Sequence, residues 1–363
     1  MAGDFDVIIA GGGVIGASIA WRLARNNLRI LLVDAARIGS EASSAAAGML
    51  TPGGEFDQPS PLLDFAIDSL AQYPDFVAAL EADSGLHVEF RRMAAVQIAL
   101  TQAELESLSR RAAFQRTAGI PSTVLTGDEL RALVPMVRPD AMGAIHYLNE
   151  AILDPVGLMT ALRAACLARG VNILEESRVK SIAADATCAH VSIGDRIIQA
   201  PFAVMAAGAW SGGIDVTIHG QPYPLPRSFP MKGHLLGYRL PAGSLAATVR
   251  HDHTYVLQRA DGFTIAGSST EDAGFDRTID AQIVSDVAAR AGALVPALTS
   301  LQPESAWIGF RPATDFDAPR IGRVTWNSAA SRLWLAYGHY RNGVLLAPAT
   351  SHQVCREIGA ALP

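Results

Sequence analysis

The chain of 363 residues is short of cysteine, of charge and of long apolar runs, and each shortage closes off a class of function. Its three cysteines, Cys166, Cys188 and Cys355, are far apart and odd in number, without the CxxC or Cys/His spacing of a metal site or a disulfide framework. Reduced thiols and no bound metal are expected. Charged residues make up only 18%, with 29 Lys and Arg against 35 Asp and Glu and a formal net charge of −6. No cluster of Lys and Arg forms a footprint for a polyanion, so nucleic acid is not an expected partner. No run approaches 18 uninterrupted apolar residues, which argues against a transmembrane segment. The apolar stretch from Phe5 is interrupted by Asp6 and runs into Gly11, Gly12 and Gly13, unlike a signal peptide, and a cytoplasmic address is expected.

What is present is globular: half the residues are apolar. A chain this long exceeds the roughly 250 to 300 residues at which one core stops growing, so two domains are expected. Residues 5–10 read as a strand, 14–26 as a helix with Ile15, Ile19 and Leu23 at helical spacing, and 28–34 as a second strand ending in Asp34. Together they make a βαβ unit with a right-handed crossover. Residues 37–54 read as a loop or broken helix, 61–83 and 102–118 as helices, and 93–100 as a strand. A helix at 155–169 stops at Gly170, short strands follow at 171–175, 188–193 and 196–200, and the strand 202–205 runs into a small-residue turn holding Ala207 and Gly208. The alternation within 231–267 predicts antiparallel strands of a second domain. A strand at 333–337 leads to a last helix at 343–361, kinked or entered late at Pro348. The expected fold is α/β: a Rossmann-like domain from 1–85, 150–212 and 315–363, with an α+β substrate domain from 86–149 and 213–314 built on an antiparallel sheet.

Gly11, Gly13 and Gly16 form a GxGxxG turn between strand and helix, where backbone can approach a diphosphate and unpaired N–H groups favour an anion. Asp34 closes the second strand, where a carboxylate can take both hydroxyls of an adenosine ribose. FAD, more than NAD, is indicated by the small, hydroxyl-bearing stretch Ser43, Ser44, Ala45, Ala46, Ala47, Gly48 and Met49, suited to following a flavin by main-chain contacts; a packing loop is the alternative. The run from Tyr337 to Thr350 sets a glycine turn before a helix start that would face the flavin pyrimidine ring, unless it is an ordinary capped helix. Arg311 stands among apolar residues and needs an anion: a substrate carboxylate, or a buried structural partner. Tyr255 offers a second donor to the same carboxylate, and His253 beside it is the weaker candidate.

Taken together, GGGVIG at the first turn, SAAAGML at 44–50, HDHTY at 251–255, WIGFRPAT at 307–314 and GHYRNGVLLAPAT at 338–350 resemble the glycine oxidase branch of the D-amino-acid oxidase family. The resemblance implies FAD contacts from Val14, Ile15, Asp34 and Ala35, from Ser43, Ser44, Ala47, Gly48 and Met49, and from Val179, Ala207 and Gly208. It implies further contacts along His339, Tyr340, Arg341, Asn342, Gly343, Val344 and Leu345. Arg311 would bind the substrate carboxylate, Tyr255 and Arg341 would border the reacting group, and Met49 and His253 would complete the pocket. The implied reaction is hydride transfer from the α-carbon of a small amino acid or amine to flavin N5. Hydrolysis of the imine to a 2-oxo acid and ammonia or amine would follow, with reoxidation by O2 to hydrogen peroxide. A homo-oligomer and a place in thiamine biosynthesis are implied in the same way. Two alternatives stay open: a D-amino-acid, sarcosine or proline-type dehydrogenase passing electrons to a quinone or carrier, and a non-catalytic flavin- or NAD-binding subunit. The polar stretch from Gly267 to Asp272 departs from the bulkier apolar residue that glycine oxidases tend to carry there.

Overall fold

In the computed structural model, which describes residues 4–56, 58, 60–316 and 318–362, the strands Val7–Ala10 and Ile30–Val33 are wholly buried and pair in parallel, Val7 opposite Ile30. Helix Val14–Arg25 crosses between them. Both strands are apolar throughout because both sheet faces are covered. Val7 and Ile9 face a core shared with Ile19, Leu162 and Leu346 from three helices. Ile8 and Ala10 point the other way, into Ile182, Val191 and Val216 of a second sheet.

Among the described residues the central sheet has six strands, in the order Arg320–Trp326, Ala329–Tyr337, Phe202–Met205, Val7–Ala10, Ile30–Val33 and Asn172–Leu174. All neighbours run parallel except the antiparallel edge pair formed by the first two. Three distant stretches of chain thus build one sheet. The larger sheet has eight strands: Ser305–Thr314, Ser228–Arg239, Phe263–Gly267, Thr254–Gln258, Thr248–His251, Ala95–Ala99, Gly143–Tyr147 and Ser122–Thr126. Its pairings are antiparallel save one, Thr248–His251 alongside Ala95–Ala99, because these strands are joined by a long excursion and not by a hairpin.

Several elements differ from the sequence reading. The stretch 37–54 is the broken helix expected, as two short turns, Ala42–Ala45 and Pro52–Glu55, but they flank a strand, Met49–Leu50, that was not. Strand Val179–Ala184 escapes the sequence pattern because a bulge between Val179 and Ser181 breaks its alternation. Helix Ala281–Leu294 is a further element that the pattern does not reveal.

The last helix begins at Gly343, ahead of Pro348, and not late at the proline. Proline has no N–H for the Val344 carbonyl, and its ring crowds the preceding turn. The buried helix Pro61–Ser84 repairs the opening: Tyr73 donates to the Val344 carbonyl, while Ser69 Oγ donates to the Leu345 carbonyl at 2.7 Å and accepts from Ala349 N at 3.2 Å. Two side chains some 270 positions away therefore complete the helix whose start faces the site. No helix among the described residues is long and apolar enough to cross a membrane.

Replacing Ser69 by Ala strands a buried carbonyl and a buried amide, and a loss of about 1–3 kcal/mol is expected. Urea unfolding should show a lower midpoint at unchanged slope; an unshifted midpoint would show that the helix closes without this hydroxyl.

Candidate functional site

The glycine turn is built by close approach of main chain. Gly11 has φ of +107°, and a Cβ there would lie 2.3 Å from the Ala206 carbonyl oxygen. A Cβ on Gly16 would lie 1.8 Å from the Gly11 carbonyl oxygen, so Gly16 seats the helix on the turn. The helix that starts after Gly13 has no side-chain cap from that residue and no acid in its first turn, which leaves its dipole for an external anion. Ser43 reaches in to accept from Val14 N at 2.9 Å. Asp34 does more than close a strand: its carboxylate accepts from Gly12 N at 2.6 Å and Ala36 N at 2.8 Å, tying the turn to the end of the second strand. Burial raises this carboxyl above its usual range, and those two amides pull it back.

One cavity takes in both this turn and the inner face of the eight-stranded sheet. Its walls include Gly11, Gly13, Val14, Ile15, Asp34, Ala35 and Ser43, then Ala47, Gly48, Met49, Val179, Ala207 and Gly208. They also include His253, Tyr255 and Arg311 and the run from His339 to Val344. Three expected residues do not line it: Gly16, which packs beneath the turn, Leu345, which lies in the helical core, and Ser44. Sequence reading missed Glu55, Gln97, Arg250, Ser268 and Arg277 on the same walls. The missing signal was register. Gln97, Arg250 and Tyr255 stand opposite one another on three adjacent strands and so share a face.

Arg311 lies on the edge strand with its guanidinium over Gly233, where a Cβ would come within 2.3 Å of Nη2. Nη1 donates to the carbonyls of Ser269 at 3.0 Å and Lys232 at 3.4 Å, and Nη2 donates to Ser268 Oγ at 2.9 Å. Among the described residues no carboxylate forms an ion pair with it, so the structural partner that competed for this residue is not found there. Of the five N–H groups of a guanidinium, Nε–H and one Nη2–H remain for a ligand. The polar stretch after Gly267 is thereby explained, since Ser268 and Ser269 supply the acceptors.

Tyr255 places its hydroxyl above Gly267, where a Cβ would lie 2.5 Å from it. Burial pushes this phenol up to about 12, against the opposing pull of Arg311 and the Ser268 hydroxyl. At neutral pH it is a proton donor and not a base. Met49 and Tyr255 pack with Leu235, Leu257 and Ile265 into an apolar patch. Arg341 sits at the rim with Nε 3.8 Å from Glu55, and His253 is exposed beside it. His339 is buried and pairs with Thr350 Oγ1 at 3.1 Å, and burial holds its ring neutral with a pKa pushed down to about 3. The helix beyond it also begins without a side-chain cap.

Comparison with known proteins agrees with this geometry. The family described as DAO, FAD dependent oxidoreductase, matches residues 6–356. The chain is 31% identical over 352 residues to the glycine oxidase of Geobacillus kaustophilus strain HTA426, covering 96% of this chain and 92% of that protein. It is 29% identical over 350 residues to the glycine oxidase of Bacillus licheniformis, again covering 96% and 92%. The crystal structure of glycine oxidase from Geobacillus kaustophilus superposes with a TM-score of 0.91 at 29% identity, covering 99% of this chain and 95% of that one.

His339 sets a pH dependence. Its folded pKa of about 3 lies below the ordinary 6.5, so between these values the unfolded chain binds the extra proton and stability falls as pH falls. Going from pH 6.5 to 5, the wild type should lose about 1.6 kcal/mol more than His339→Gln, as read from urea midpoints at the two pH values. Equal losses in both proteins would remove His339 as the source.

Proposed function

The chain belongs to the DAO family of FAD-dependent oxidoreductases, and from that premise we propose that it is a glycine oxidase. One observation carries the reading: Arg311, half-buried on the cavity wall, is held by carbonyl and hydroxyl oxygens with no carboxylate partner among the described residues, beside a protonated Tyr255. A cation in that state is a receptor for the carboxylate of an amino acid. The named likeness to glycine oxidases supports the smallest such substrate.

The residues present fit FAD. The turn from Gly11 to Gly13 and the helix start that follows it suit its diphosphate, Asp34 its ribose, and the stretch from Ala47 to Met49 and the run from His339 to Val344 its ring system. Bound there, FAD supplies the two-electron acceptor for the α-carbon–hydrogen bond. Arg311 takes the substrate carboxylate through its two uncommitted N–H groups, and Tyr255 adds a hydroxyl donor. Gly233 and Gly267 leave room for both heads. The apolar patch of Met49, Leu235 and Tyr255 excludes water from one side of the site. Because the Tyr255 phenol keeps its proton, it is not the group that takes the proton from the substrate amine. Fixing one end of a small substrate converts a chance encounter into an oriented one, a source of rate that needs no obligatory base.

The reading includes O2 as electron acceptor, a cytoplasmic address and a homo-oligomer. It assigns 1–85, 150–212 and 315–363 to the FAD domain and 86–149 with 213–314 to the substrate domain.

Glycine added without oxygen should bleach the visible flavin band of the purified protein, and air should restore it with release of hydrogen peroxide. Yellow protein that no small amino acid reduces would overturn the assignment. Arg311→Ala should lose about 1.5–3 kcal/mol or more in kcat/KM for glycine, and Arg311→Lys should not rescue it because the planar fork is gone.

Tyr255→Phe removes one neutral hydrogen bond, worth about 0.5–1.5 kcal/mol in kcat/KM, and leaves the acid-side rise of the pH–rate profile in place. Loss of that rise in the variant would instead make Tyr255 the base.

A further inference from the structure

Arg311 touches the polar stretch that comes after Gly267, and that stretch is itself anchored from behind. We infer that Ser269, Glu271 and His234 form a brace that positions the Arg311 guanidinium for carboxylate binding. The inference rests on the reading of Arg311 as the carboxylate anchor.

A single oxygen organises the brace. Glu271 Oε1 accepts from Ser269 Oγ at 2.6 Å and lies 2.8 Å from Nδ1 of His234, a ring with no exposed surface. Ser269 Oγ in turn accepts from the His234 main-chain N–H at 2.8 Å. On the other side of the ring, Nε2 accepts from Asp280 N at 3.1 Å, ahead of helix Ala281–Leu294. Because Nε2 is an acceptor, the ring proton sits on Nδ1 and points at Glu271. The main chain is locked as well, for Lys232 and Glu271 exchange two backbone hydrogen bonds of 2.9 Å. The buried Lys232 ammonium pairs with Asp276 at 2.7 Å, farther along the same excursion.

Arg311 Nη1 donates to two carbonyls, those of Ser269 and Lys232, which lie on the two sides of this lock. Neither Glu271 nor His234 hydrogen-bonds or ion-pairs with Arg311 among the described residues. Both act through main-chain oxygens and are positioning residues. A long side chain loses substantial rotamer freedom when it is held, and the brace meets that loss before substrate arrives. Loosening it should weaken capture of a carboxylate more than it slows the reaction of substrate already bound. The role asks for two acceptor lone pairs on one oxygen and not for a charge, so glutamine in place of Glu271 should serve.

The test uses FAD-loaded protein and two readouts: the dissociation constant of acetate, read from the perturbed flavin absorbance, and KM and kcat for glycine. Glu271→Ala and Ser269→Ala should each raise the acetate constant and the glycine KM about tenfold, with kcat within about threefold of wild type. Glu271→Gln should stay within about threefold of wild type on every readout. Wild-type acetate binding in Ser269→Ala and Glu271→Ala, in a series where Arg311→Ala abolishes it, would overturn the brace and leave the anchor standing. Equal damage from Gln and Ala at position 271 would overturn it too, because charge would then be the working property. If Arg311→Ala itself keeps acetate binding, the anchor reading fails before the brace is reached.

Discussion

Three stretches of main chain meet at Gly11, Gly16 and Ala206 more closely than any side chain would permit. That contact fixes the first strand, the first helix and the central strand Phe202–Met205 relative to one another, and the cavity takes its shape around it. The helix start is held open at the turn. The small-residue segment after Ala206 is delivered to the same cavity, carrying Ala207 and Gly208 onto its wall. Because the strands beside it come from the two ends of the chain, the last helix is brought back to the turn that begins the molecule.

The chemistry is decided by how three arginines on the inner side of the large sheet are neutralised. Arg250 lines the cavity but is spoken for, with Glu150 at 3.1 Å in a buried pair. Arg259 is buried against the carbonyls of Leu153 and Ala47, where it clamps the strand ahead of Met49. Arg311 is held by oxygens that carry no net charge, and those contacts leave two N–H groups over. Burying a cation costs free energy that neutral acceptors offset only in part, and of the three only Arg311 both lines the cavity and lacks a carboxylate partner among the described residues.

Much of this is legible in the sequence, and the reasons for the gaps are physical. The glycine turn, Asp34 and the isolation of Arg311 among apolar residues are local patterns, and the fold keeps each of them local. What escapes depends on contacts at long range. The early start of the last helix relies on Ser69 and Tyr73, which no window around Pro348 contains. Gln97 and Arg250 join the wall only through the register of strands some 150 positions apart, one of them in the sheet's single parallel pairing. Strand Val179–Ala184 hides behind its bulge. The polar stretch at 267–272 looks like a departure from a family pattern because its purpose is to hold a side chain about 40 positions away.

The same economy governs the rest of the cavity's field. Two helices open on it without a side-chain cap from the residue that precedes them, and a helix start offers about half a positive charge spread over several amides. His339, a ring that could add a full charge near the second of them, is kept neutral by burial. Protonated, it would add a further full charge to the side of the cavity that already carries Arg341. Diffuse dipoles stabilise the spread charge of a diphosphate or a reduced ring without capturing a compact carboxylate from a bidentate partner. A small amino acid can therefore lie in one orientation although several positive groups face the same cavity.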